Sequence, residues 1–169
     1  PIVNNNELSK NTQIKATLRA TKERRSSKRC RTINLKIQKN KLNKQQLEHL
    51  FMLFVEAKWI YNHILSDIKN RANDTYVKSL KQIEVTYQDK VEVKPLRFIS
   101  SQMKQAVATQ VKSNLTVLSE LKKKGHKVGK LKFKSFVNSI NLKQYKVTHR
   151  INFKSNKISI QGIKKNIKV

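Results

Sequence analysis

Ten carboxylates are the first residues whose chemistry needs weighing: Glu7, Glu23, Glu48, Glu56, Asp67, Asp74, Glu84, Asp89, Glu92 and Glu120. Two-metal hydrolysis needs several carboxylates converging on paired cations. Here they are dispersed and interleaved with lysine, as solvated ion-pair partners are. Asp67 and Asp74 share a helix face only if one helix runs through both. His49, His63, His126 and His149 show no metal-ligand spacing, and His63 beside Trp59 suits packing or a phosphate contact better than acid–base work. Cys30 sits among arginines, a setting that can activate a thiol, yet a lone basic-flanked cysteine is more often incidental. A single cysteine also excludes an internal disulfide and a paired Cys-x-x-Cys zinc ribbon. The expectation is a chain that is not by itself an enzyme and carries no cofactor or metal.

Cations dominate instead. Lys and Arg number 38 among 169 residues, giving a formal net charge of +28 and a pI near 10.5. Such an excess repels itself unless a polyanion neutralises it, and a pI above about 9 is the usual footprint of nucleic-acid binding. Two clusters stand out. Lys127, Lys130, Lys132 and Lys134 alternate around Val128, Leu131 and Phe133. Cations so spaced can follow a phosphate backbone while the apolar residues anchor the segment; a solvated basic loop has the same composition. Arg24, Arg25, Lys28, Arg29 and Arg31 form the second cluster, readable as an RNA-scaffold contact or as a disordered basic arm. Trp59 and Tyr61 have the aromatic faces on which bases stack, although helical spacing favours packing for Tyr61, and Asn62 beside them can hydrogen-bond backbone or nucleic acid.

The elements that position these residues follow from periodicity. Residues 1–13 are polar and read as a disordered tail. Ile14, Ala16, Leu18 and Ala20 alternate with polar residues and suggest a short strand, and 31–38 suggests a second. Asn43 is an N-cap candidate for a helix over 44–70, with Leu47, Leu50, Phe51, Phe54, Tyr61, Ile64, Leu65 and Ile68 on its apolar face. Asn73 and Asp74 are placed to cap a shorter helix over about 75–85. Pro95 precedes a helix over 98–123, striped by Ile99, Met103, Val107, Val111, Leu115, Leu118 and Leu121 and closed by Gly125. Beyond Gly129 the period becomes two: Ile140 and Leu142, Ile151 and Phe153, Ile158 and Ile160, and Ile167 and Val169 read as short strands, with turns at Asn156 and Gly162. The fold class expected is α+β. No apolar run spans a membrane and no signal peptide is visible, so a cytoplasmic, nucleoid-associated protein is expected.

Three stretches carry a resemblance: Arg31-Thr-Ile-Asn-Leu-Lys-Ile-Gln38 with Leu42-Asn-Lys-Gln-Gln46 and Ala57-Lys-Trp-Ile-Tyr-Asn-His-Ile-Leu65; Ile99-Ser-Ser-Gln-Met-Lys-Gln-Ala-Val107; and Lys123-Lys-Gly-His-Lys-Val-Gly-Lys-Leu-Lys-Phe-Lys-Ser135. In this order they resemble the N-terminal half of TnpB (OrfB-type) transposon proteins, RNA-guided DNA endonucleases related to type V CRISPR effectors. The resemblance covers about residues 31–169. It implies a small β-barrel wedge module, with strands at 31–38 and 138–169, interrupted by a helical recognition insert, 44–123; with the strand expected over 14–20, the domain division is wedge 14–43 and 124–169 around that insert. It also implies guide RNA and double-stranded target DNA as partners, with base pairing supplying most specificity. The family's RuvC-like nuclease domain and zinc ribbon have no counterpart here, so a nuclease half would belong to the full-length protein. The resemblance puts the 127–134 loop near guide RNA or heteroduplex. It puts Ser100, Ser101 and Lys104 against the short motif beside the target, with Tyr76, Asn141 and Gln144 as weaker candidates. Departures are Leu131 where the family usually has Pro, Lys130 where it often has an aromatic, and a longer basic stretch before Arg31. A nuclease-dead, RNA-guided DNA binder and a stand-alone basic RNA-binding protein are the competing readings.

Overall fold

The computed structural model describes residues 10–29, 32, 34–88 and 90–169. The chain divides into two units, 1–35 and 36–169. The first contains one helix, α1 (Lys10–Ser26). This corrects the strand expected over 14–20. Ala, Leu, Lys, Gln, Glu and Arg all favour helix, Arg19 and Glu23 pair at 3.1 Å one turn apart, and Arg24 and Arg25 sit in the last turn, where cations suit the helix dipole. Residues 11–29 are exposed apart from half-buried Thr21. The expected tail lies largely outside the described residues, although α1 already begins at Lys10. Cys30, Arg31 and Ile33 also lie outside them, and 34–38 form no strand.

The second unit opens with a 3-10 turn (Lys39–Lys41) and α2 (Lys44–Ser66). Asn43 caps α2 as its sequence indicates. Its side chain accepts from the Gln46 N–H at 2.8 Å, and Gln46 accepts from the Asn43 N–H at 3.1 Å, a reciprocal box that satisfies two otherwise orphaned donors. The buried stripe matches the expected one in part: Tyr61 and Ile64 are buried, and Phe54, Leu65 and Ile68 pack against the core. Leu53, Ala57, Ile60 and Ile64 face the core, while Leu47 and Phe51 are 55% and 65% exposed. Apolar residues occur at nearly every angle of this helix, so the partners that pack on it select the face. The helix breaks at Asp67, whose carboxylate caps the short α3 (Ile68–Arg71). Asp67 and Asp74 therefore share no face. Asp67 bonds Asn70 and Asp74 pairs with Lys112 at 3.0 Å.

Asn73 caps α4 (Asp74–Ser79), its side chain accepting from the Thr75 N–H at 2.8 Å. The helix expected to continue to 85 stops there. Residues 82–95 instead form an antiparallel hairpin, β1 (Gln82–Tyr87) and β2 (Lys90–Pro95). Ile83, Val85, Thr86, Val91 and Val93 explain it, since branched side chains pack well on a pleated surface.

Ser100 caps α5 (Ser101–Lys123), which packs on α2 and α4. The first half of its stripe is as the sequence indicates, Ile99, Met103, Val107 and Val111 being buried with Leu53, Ile60 and Ile64, whereas Leu115 is only partly buried and Leu121 is exposed. Each such fully buried branched or long side chain contributes about 1.5–3 kcal/mol. Gly125, at φ +82°, closes α5. The His126 N–H donates to Leu121 O and the Gly125 N–H to Lys122 O, the paired bonds of a Schellman cap. From there to 148 the chain is irregular but anchored, with Leu131, Val137, Ile140 and Leu142 packed on the core. The strand expected at Ile140 and Leu142 is thus absent. A three-stranded antiparallel sheet closes the unit: β3 (His149–Asn152), β4 (Lys157–Ile160) and β5 (Ile167–Lys168), with β4 central. Its register aligns Ile151, Ile158 and Ile167. Asn156 and Gly162 occupy the turns at positive φ. The architecture is α+β, and among the described residues neither sheet closes into a barrel.

Candidate nucleic-acid interface

The end of the 127–134 tract is tied down by one side chain. Asn62, on α2, donates from Nδ2 to Lys134 O at 2.9 Å and accepts from the Lys134 N–H at Oδ1, 2.8 Å. Its amide thus substitutes for a neighbouring strand and satisfies both backbone groups of an otherwise unpaired extended residue. One helical residue away, the Lys134 ammonium lies 4.3 Å from the Tyr61 ring centroid, a favourable cation–π contact. Tyr61 is buried, the packing role that its spacing favours. Lys127, Lys130 and Lys132 are exposed, without a hydrogen bond or ion pair among the described residues. Val128 is half-buried and Leu131 packs on the core. Phe133 is not an anchor: it stands 64% exposed.

Beside the tract lies a cavity of about 560 Å³. Trp59 and His63 reach it from α2, Tyr87 from the tip of the hairpin, and Phe133 from the tract. Lys58, Arg71 and Lys134 bring positive charge, and among the described residues Glu84 brings a carboxylate to its lining. A hydrogen-bonded group holds the wall. His63 Nε2 is 2.9 Å from the Tyr76 hydroxyl, and Arg71 Nη1 reaches His63 O, Ser66 Oγ (2.8 Å) and His63 Nδ1 (3.4 Å). Because a guanidinium can only donate, Nδ1 is assigned as acceptor and Nε2 as the protonated nitrogen. Burial, and then Arg71, hold His63 below the ordinary imidazole range, with Glu84 opposing. A neutral His63 follows at neutral pH. Tyr76 is therefore committed to His63, its ring parallel to the imidazole.

The start of α5 is a second cluster. Ser100 spends its hydroxyl on the cap, accepting from the Met103 N–H, whereas Ser101 is exposed. Lys104 is only 6% exposed and its ammonium donates to Leu80 O. Desolvation lowers its pKa, with Glu56 opposing. The cation expected to face a partner is thus committed inside the fold. Glu56, 1% exposed, accepts the N–H groups of Arg97, Phe98 and Ile99 at 2.8, 3.0 and 2.8 Å. That carboxylate fixes the approach to α5, and no acid on a lysine-bearing helix announces such a role. Gln144 accepts from Gln102 at 2.6 Å, and Asn141 is exposed.

The two clusters gather some of the residues singled out in the sequence. Trp59, Asn62 and Lys134 converge on the cavity, and Tyr76 joins them through His63. Ser100, Ser101, Lys104 and Gln144 gather at the start of α5. Arg24, Arg25, Lys28 and Arg29 lie exposed in the first unit, and Arg31 lies outside the described residues. Arg71, Tyr87 and Glu84 escaped the sequence reading, since only the hairpin and the break at Asp67 bring them to the cavity.

Charge is left largely unbalanced. Among the described residues four ion pairs form: Arg19–Glu23, Glu92–Lys94, Asp74–Lys112 and Glu120–Lys123. All are exposed enough to contribute little to stability. Among the described residues most Lys and Arg side chains make no ion pair. No described helix is long and apolar enough to cross a membrane. In comparisons with known proteins, no family model, curated protein or solved structure matches the chain.

Proposed function

We propose that the chain binds nucleic acid as the N-terminal, wedge-and-recognition part of a TnpB-like RNA-guided DNA endonuclease, holding guide RNA and a target DNA with its adjacent motif. The observation that carries the reading is the unneutralised charge: +28 overall, with Lys127, Lys130 and Lys132 displayed on a tract tied to α2 by Asn62. Pinned cations lose less conformational freedom on meeting phosphates than cations of a free loop do. The motifs around Trp59, Ile99 and Lys123 support the family reading. In it, the segment before α2 and the β3–β4–β5 sheet belong to a split wedge, and the hairpin and helices between them to the recognition insert. Cleavage in this reading belongs to the family's RuvC-like nuclease domain.

Two measurements test it. RNA that co-purifies with the protein after a high-salt wash is sequenced: one dominant species with a constant scaffold and a variable tail supports guide binding, and a broad mixture lost in the wash refutes it. In parallel, Lys130→Ala and Lys132→Ala should each weaken binding similarly for unrelated sequences and lower the salt slope by about one. A sequence-selective loss would contradict backbone contact.

A further inference from the structure

We infer that the cavity bounded by Trp59, Tyr87 and Phe133 holds one unpaired, unstacked nucleobase of a single-stranded nucleic acid, and favours a base whose edge presents an amino group. The inference rests on the nucleic-acid reading above but on separate observations. Tyr87 and Phe133 are 67% and 64% exposed, and both line the same cavity as half-buried Trp59. Exposed aromatics converging on a concave site mark a ligand surface, and base–aromatic stacking is the interaction that three such faces offer a nucleic acid. The cavity, about 560 Å³, falls within the range of about 300–1,000 Å³ usual for small-ligand sites.

Its polar groups narrow the ligand. Lys58 has no hydrogen bond or ion pair among the described residues, and Arg71 commits only Nη1. Both are placed to take the phosphates flanking an inserted base. Asn62 and His63 are already bonded, so the edge of the base is left to Thr86 and to Glu84. A carboxylate accepts from the exocyclic amino group of cytosine and is repelled by the carbonyl that uracil presents at the same place. A duplex cannot supply the ligand, because its bases are stacked and paired.

Trp59 is the only tryptophan of the chain, so its fluorescence reports on this cavity alone. The whole chain is titrated, at moderate salt, with single-stranded hexamers of cytidylate and of uridylate and with a blunt duplex. Cytidylate should quench Trp59 to saturation and bind about five-fold or more tightly than uridylate, and the duplex should bind without quenching. Tyr87→Ala and Phe133→Ala should each weaken cytidylate binding by about five-fold or more. Both side chains are exposed, and an unchanged unfolding midpoint confirms that the fold is intact. Glu84→Gln should narrow the gap between cytidylate and uridylate. Binding of single strands without quenching, or with wild-type affinity in both aromatic variants, overturns the inference and leaves the nucleic-acid reading standing. Absence of all binding at low salt overturns both.

Discussion

Replacing Asn62 separates a residue that positions the basic tract from one that touches nucleic acid. Asn62→Ala removes two neutral bonds, of 2.9 and 2.8 Å, to the Lys134 backbone. Each contributes about 0.5–1.5 kcal/mol net. Lys134 is half-buried, so water replaces part of the loss, and about 1–2 kcal/mol of local stability should go. That is roughly a 5- to 30-fold rise in opening of the tract. Hydrogen exchange at the Lys134 amide reads it directly: exchange should accelerate by that factor, while the amides of α5 exchange as before. Affinity for a single-stranded oligonucleotide should fall too, because Lys130 and Lys132 must then be ordered on binding. Asn62→Asp keeps an acceptor for the Lys134 N–H but sets an oxygen against its carbonyl, and should loosen the tract at least as much. If affinity falls in Asn62→Ala while Lys134 exchange is unchanged, Asn62 is a direct contact and the positioning argument is wrong.

Glu56→Ala leaves the buried Ile99 N–H and the part-buried N–H groups of Arg97 and Phe98 without their acceptor and should cost about 2–4 kcal/mol in urea unfolding, Glu56→Gln about 1–2; equal effects below about 1 kcal/mol would contradict the carboxylate clamp. His63 is held below its ordinary value of 6.5, so near that pH the unfolded chain takes up a proton that the folded chain resists. Its contribution is therefore complete above about pH 6.5 and is lost as pH falls below it, and His63→Gln should flatten the pH dependence of the urea midpoint there. Gly162 sits at φ +90° with His49 Nε2 only 3.1 Å from where a Cβ would stand. Gly162→Ala should lower stability by about 1–2 kcal/mol, and an unchanged thermal midpoint would show that the turn relaxes freely.

Short-range chemistry was legible without coordinates. Asn43 caps α2 through a residue three positions on, Gly125 closes α5 within six residues, and Asn156 and Gly162 take the positive φ of their turns. The first half of the α5 stripe was equally plain, because its apolar residues lie on one side only. Net charge is a property of composition and needed no fold. The α+β class followed from the change of period along the chain, whereas α1 was misread because a short apolar alternation fits a helix made of strong helix formers as well as it fits a strand.

What only the tertiary structure decided depends on partners elsewhere in the chain. α2 has apolar residues on opposite faces, and packing against α5 chose Leu53, Ala57, Ile60 and Ile64 over Leu47 and Phe51. Residues 82–87 form a strand because 90–95, close in the chain, pair with them across a tight turn, a cross-strand gain that the period of one segment taken alone does not register. Asn62, Glu56 and Lys104 look alike in sequence, as polar residues on amphipathic helices. They differ because the backbone of 134, of 97–99 and of Leu80 arrives beside them with unsatisfied groups. A buried polar group must be paired wherever the fold leaves it, and the partner is known only once the chain has come together.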